Sequence, residues 1–115
     1  MNTAEIKKSH SVEITELPNL VKRRMNRIFR KVCKLFEKNP KEIYRSNDKQ
    51  FRELVEIRQI SFFIIRKKYP EYTYSQIAFF FDKDNHATII HGIKTVNNLL
   101  ETNRQFREKT NPLFN

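Results

Sequence analysis

An all-α fold is predicted by three features of the 115-residue sequence: it has one glycine, it has no Asn-Gly or Asp-Gly hairpin pair, and its apolar residues recur at three- and four-residue spacing. The length suits one small domain with one core. An apolar fraction of 38%, including ten phenylalanines, is enough to fill that core.

The elements follow in order. Residues 1–14 are expected to form a flexible arm, 15–103 the helical domain, and 104–115 a C-terminal tail. A first helix begins near Pro18, proline being favoured in a first turn, with Leu20, Val21, Met25, Ile28, Val32, Leu35 and Phe36 on its apolar stripe. Asn39 and Pro40 read as cap and first residue of a short second helix anchored by Ile43 and Tyr44. A third helix spans about 51–69, with Leu54, Ile57, Ile60, Ile64 and Ile65 inward, Lys67 and Lys68 at its dipole-negative end, and Pro70 just beyond. Thr73 with Gln76 three residues on has the spacing of a capping box, starting a short helix over about 74–81. Asn85 is a favoured N-cap, and Ile89, Ile93, Val96 and Leu100 place a last helix over about 86–101. Two helices joined by a tight turn at 74–101, behind a longer support helix, describe a helix-turn-helix in a bundle of about five helices. Gly92, in mid-helix, costs about 1 kcal/mol in propensity and implies close helix packing.

The charge is strongly basic, +10 with a pI near 10, and is unevenly distributed. Residues 15–45 carry ten basic against three acidic side chains and 46–69 six against three, whereas 1–14 and 70–115 each balance. Such an excess in a small chain points to a polyanionic partner. Lys22, Arg23, Arg24, Arg27, Arg30, Lys31 and Lys34 form the polar face of the first helix.

Other chemistries find little support. A single cysteine, Cys33, excludes an internal disulfide, cannot by itself build a cysteine-based zinc site, and reads as a small half-buried hydrophobe. His86 and His91 are five apart on one helix, so they do not share a face as a four-residue spacing would, and neither has a nucleophile or a carboxylate set nearby in sequence. No catalytic residue, metal or cofactor is expected. The first residues lack an apolar signal core, and apolar runs such as Phe62 to Ile65 are far too short for a membrane span. The Phe62-Phe63 and Phe79–Phe81 runs read most simply as core.

From about Ile28 to Val96 the sequence resembles the C-terminal DNA-binding domain of the bacterial replication initiator DnaA, a helix-turn-helix related to that of the Trp repressor. The family's support helix, of the form LxxxxxVxPRQIAMYL, appears as FRELVEIRQISFFII; its SLPEIG as TYSQIA; and its FGGRDHTTVxHAxxKI as FDKDNHATIIHGIKTV. Arg58, Gln59, Ile77, Phe81, His86, Thr88, Ile89 and His91 fall on matching positions. The resemblance implies double-stranded DNA as partner and a recognition helix that begins at Asn85 and enters the major groove with Asn85, His86 and Thr88 toward base edges. It also implies that Arg52, with Lys49 beside it, reaches the adjacent minor groove. First-helix Arg24, Arg27 and Lys31 are then expected on phosphates, and Arg58, Lys83 and Lys94 complete the expected DNA-binding set. His91 is expected to pack or to face the phosphates.

Departures from the family pattern are specific. Its Arg-Asp-His-Thr-Thr reads Asp84-Asn85-His86-Ala87-Thr88 here, and its two glycines are Asp82 and Lys83. Arginine pairs bidentately with guanine or holds a phosphate, aspartate near phosphates is repelled, and asparagine prefers adenine. The family's own box sequence is therefore not the expected target. No Gly-rich Lys-Ser/Thr phosphate loop is present, so no nucleotide is expected. The resemblance implies a stand-alone DNA reader in the cytoplasm of a prokaryotic cell, or of its phage or mobile element, with no membrane partner. The rival reading is an adaptor that keeps the fold, has lost base readout and contacts a replication or transcription protein.

Overall fold

The structure, a computed structural model, describes residues 16–41, 52–83 and 85–114. Among them are five α-helices, namely α1 (Asn19–Leu35), α2 (Arg52–Lys68), α3 (Tyr74–Phe80), α4 (His86–Thr102) and α5 (Arg104–Thr110), then a 3₁₀ turn at Asn111–Leu113. The described residues contain no strand. The arm at 1–14 and the anchors Ile43 and Tyr44 lie outside the described residues; of the short second helix, Pro40 and Lys41 are helical and Asn39 Oδ1 accepts from the Lys41 amide (2.9 Å).

α1 starts where Pro18 allows: the Pro18 carbonyl accepts the Lys22 amide at 3.0 Å. Its stripe at Val21, Met25, Ile28 and Val32 is buried, and Phe29 and Cys33, one turn apart, widen it. Leu20 was expected on this stripe but is 47% exposed, because it lies about 100° around the helix from Val21. Cys33, expected half-buried, is fully buried, and burial pushes its thiol up to about 11. α1 closes in a Schellman arrangement: Glu37 is left-handed (φ 55°), its amide bonds the Lys34 carbonyl, and the Lys38 amide reaches Cys33.

α2 lies against both α1 and α4 and buries Ile57, Ile60 and Ile65. Leu54 and Ile64 are only partly buried at its edges. At its C-terminus Arg66 donates to the carbonyls of Pro70 (2.9 Å) and Tyr72 (2.8 Å), which fastens the loop into α3. α3 opens with the full capping box, Thr73 and Gln76 exchanging side-chain-to-amide bonds of 3.1 and 2.8 Å.

Two contacts seat the helix-turn-helix. Phe81, just after α3, meets Phe29 of α1 and Phe62 of α2 edge-on, with ring centroids 5.4 and 4.9 Å away. Gly92 brings α4 so close to α2 that an added Cβ would stand 2.8 Å from the Phe62 ring and 3.1 Å from Gln59 Cγ.

The expected tail is instead part of the fold. Asn103 caps α5 by accepting the Phe106 amide (3.0 Å), and Phe106 and Leu113 enter the core. Arg107 donates to the carbonyls of Leu100 and Glu101 at the end of α4, and the Lys109 ammonium sits 4.2 Å over Phe36. An Asn cap followed by two widely spaced apolar residues forms too short a pattern to read by periodicity; packing on α4 and on Phe36 just after α1 decides it. No helix among the described residues is long and apolar enough to cross a membrane.

Candidate nucleic-acid interface

The turn between α3 and α4 is built by local chemistry. Asp82 takes the left-handed conformation (φ 55°), its amide bonding the Phe79 carbonyl and the Lys83 amide bonding Ala78 (2.8 Å). This is the position where the family pattern quoted above has glycine, and Asp tolerates it because its short polar side chain is among the few that visit this region. Asn85 then adopts extended backbone (φ −147°) and its Oδ1 accepts the Thr88 amide at 3.2 Å, starting α4.

With its oxygen used as the cap, Asn85 keeps an amide NH₂ for donation. His86, Ala87 and Thr88 are exposed on the first turn of α4. His86 Nε2 is hydrogen-bonded to Ser75 Oγ of α3, so Nδ1 is the ring nitrogen left for another partner. Ser75 was not singled out in the sequence; nothing local marks a partner eleven residues away. His91 is exposed, so the packing role allowed for it is not taken up, and Lys94 is exposed on the same helix.

The remaining expected residues are scattered. Arg52 is exposed as the first residue of α2, whereas Lys49 and Asp84 lie outside the described residues. Arg58, expected at DNA, is buried with 8% of its surface exposed, and burial pulls its pKa below the ordinary arginine value. It faces inward because α2 buries its Ile57-Arg58 edge against neighbouring helices, which helical spacing alone did not distinguish. Lys83 is half-buried in the turn.

On α1, Arg27 and Lys31 are exposed, but Arg24 is held internally. Its Nη1 donates to the Tyr72 hydroxyl (3.0 Å) and its guanidinium lies 5.0 Å over the Tyr69 ring. The Tyr72 bond raises the Arg24 pKa. Tyr69 stacks on Tyr72 at 5.0 Å, so α1 is clamped to the α2–α3 loop across 48 residues of sequence.

Charge and first-turn chemistry sit on different helices. α1 has seven cations and no acid, whereas α4 has Lys94 and Glu101 as its formal charges.

Residues 25–96 match the family model described as the bacterial dnaA protein helix-turn-helix. The chain is 35% identical over 80 residues to the chromosomal replication initiator protein DnaA of Bacteroides thetaiotaomicron, covering 70% of this chain and 16% of that protein. It is 33% identical over 76 residues to the DnaA of Bacteroides fragilis (66% of this chain, 15% of the relative), and 30% identical over 86 residues to that of the Wolbachia of Brugia malayi (75% and 18%). The chain thus spans less than a fifth of the length of these curated relatives. No solved structure matches it significantly. With the paired helices α3 and α4, the Phe81 anchor and a family match over most of its length, the chain belongs to the bacterial DnaA helix-turn-helix family.

Proposed function

We propose that this protein binds double-stranded DNA sequence-specifically through the first turn of α4 and acts in the control of replication or transcription, without catalysis. The observation that carries the reading is the exposed turn Asn85–Thr88, capped and presented at the start of a 17-residue helix in a family defined by its helix-turn-helix. In this reading the Asn85 amide, His86 through Nδ1 and Thr88 meet base edges, Arg52 and Lys49 reach the minor groove, and exposed α1 cations such as Arg27 and Lys31 neutralise phosphates. Lys83 precedes the reading turn, and Lys94 lies exposed farther along α4. Arg24, tied to Tyr69 and Tyr72, and the buried Arg58 position helices and leave direct contact to their neighbours.

Selection from a random duplex library tests this. An enriched motif that differs from the family's box supports the reader; no enrichment at moderate salt supports the adaptor, which the single Lys and single Glu of α4 favour. Replacing Arg52 or His86 by alanine is expected to cost about 1–3 kcal/mol on the selected site and to relax specificity, whereas Arg27→Ala weakens all duplexes alike. Equal losses on selected and random duplex for all three would refute these roles.

A further inference from the structure

Beyond the helix-turn-helix, a cavity of about 600 Å³ opens where α1, the end of α2, the end of α4 and the 3₁₀ turn converge. Its floor is apolar, formed by Ile28, Phe63, Ile64, Leu100 and Leu113. Phe114 makes one wall, 42% exposed, edge-on to Phe63 at 6.0 Å. Four cations line it, Arg27 and Lys31 one turn apart on α1 and Lys67 and Lys68 at the end of α2, and no acid does. The Lys67 ammonium rests 5.6 Å above the floor phenylalanine. Ion pairs among the described residues join Lys38 to Glu53 and Arg104 to Glu108, none of them at this opening.

We infer that this cavity docks a segment of a partner protein that is both acidic and apolar, seating an aliphatic or aromatic side chain on the floor and its carboxylates against the four cations. Cations gathered around an apolar opening repel one another, and an incoming carboxylate relieves that repulsion while the apolar side chain leaves water. The volume is that of a site for one or two large side chains, not of an extended interface. A DNA duplex supplies the negative charge but has no narrow apolar group to reach the floor. Position also matters: Leu100 lies fourteen residues beyond His86, about 21 Å along α4, so a partner seated here leaves the first turn of α4 uncovered. The inference is independent of base reading; a chain that selected no duplex motif would retain it.

The test titrates the ¹⁵N-labelled full chain with a twelve-residue peptide carrying Leu and Phe at i, i+3 and i+4 spacing with Asp or Glu between them. Amide shifts centred on Ile64, Leu100 and Phe114, with those of His86 and Thr88 unmoved, are expected, together with weaker binding at higher salt. The Lys67→Glu/Lys68→Glu variant and, separately, Phe114→Asp should each lose about tenfold or more in affinity, with circular dichroism confirming the fold. Phe114 is exposed, and the charge-reversal variant changes only exposed side chains, so at least one of the two is informative. Absence of binding, equal binding of a peptide with lysine for each acid, unchanged affinity in both variants, or displacement of the peptide by phosphatidylglycerol vesicles at the same amides would overturn the inference.

Discussion

α1 and α4 have equal lengths and opposite designs. α1 buries six residues on one face and exposes six cations on the other; α4 buries Ile89, Gly92 and Val96 and exposes a nearly uncharged surface of His, Thr, Ala and Asn. In the proposed reading this difference separates attraction from discrimination: charge on α1 would draw a polyanion in whatever its sequence, while short polar side chains on α4 would gain only where their partners fit. A helix loaded with arginine would bind everything; one without it depends on its neighbour for affinity.

The largest expected effect comes from removing what holds α4 in place relative to α1. Phe81→Ala is expected to cost about 3–5 kcal/mol in chemical denaturation, since its ring contacts both α1 and α2. A loss below about 1 kcal/mol would mean that the turn is seated by other contacts.

Next is the α2–α4 contact. Gly92→Ala improves helix propensity but drives a Cβ to 2.8 Å from Phe62, a ring only 2% exposed, so a net loss of about 1–3 kcal/mol is expected. The quoted family pattern has methionine and alanine where this chain has Phe62 and Gly92, a volume exchange across one contact. Adding Phe62→Met to Gly92→Ala should therefore recover most of the loss; additive penalties in the double-mutant cycle would break this account.

Asn85 separates cap from readout. Asn85→Ala should lower stability by about 1 kcal/mol. Asn85→Asp keeps the cap acceptor and the stability but exchanges an NH₂ donor for a charge, so it should change the selected base, or abolish selection, at unchanged melting temperature. On the α1 side, six exposed cations predict a log-log salt slope of about −5 for duplex binding. A slope near −1 would remove α1 from the interface.

The smallest effects test the helix ends. Glu37→Gly and Asp82→Gly, at φ 55°, should each stabilise by about 0.5–1 kcal/mol, the relief of left-handed strain being partly offset by glycine's freedom in the unfolded chain.

Much of this was legible because it is local. Helix periodicity, the Thr73–Gln76 box, the Asn85 cap and the closeness implied by Gly92 depend on residues within one or two turns, where spacing fixes geometry. The concentration of charge on α1 is likewise written in its order of residues. Which cations are free is a different matter. Arg24 is clamped by Tyr69 and Tyr72, Arg58 is buried, and residues 104–114 close the core, where the sequence suggested a phosphate contact, a DNA contact and a tail. The cavity between α1, α2 and Phe114 has no signature in any one segment. By itself the sequence determined helices α1 to α4, the Thr73 and Asn85 caps and the total charge, but not α5. Only the tertiary structure decided which charges face outward and which apolar surfaces remain uncovered, because these depend on how segments up to 48 residues apart meet, and their spacing does not encode it.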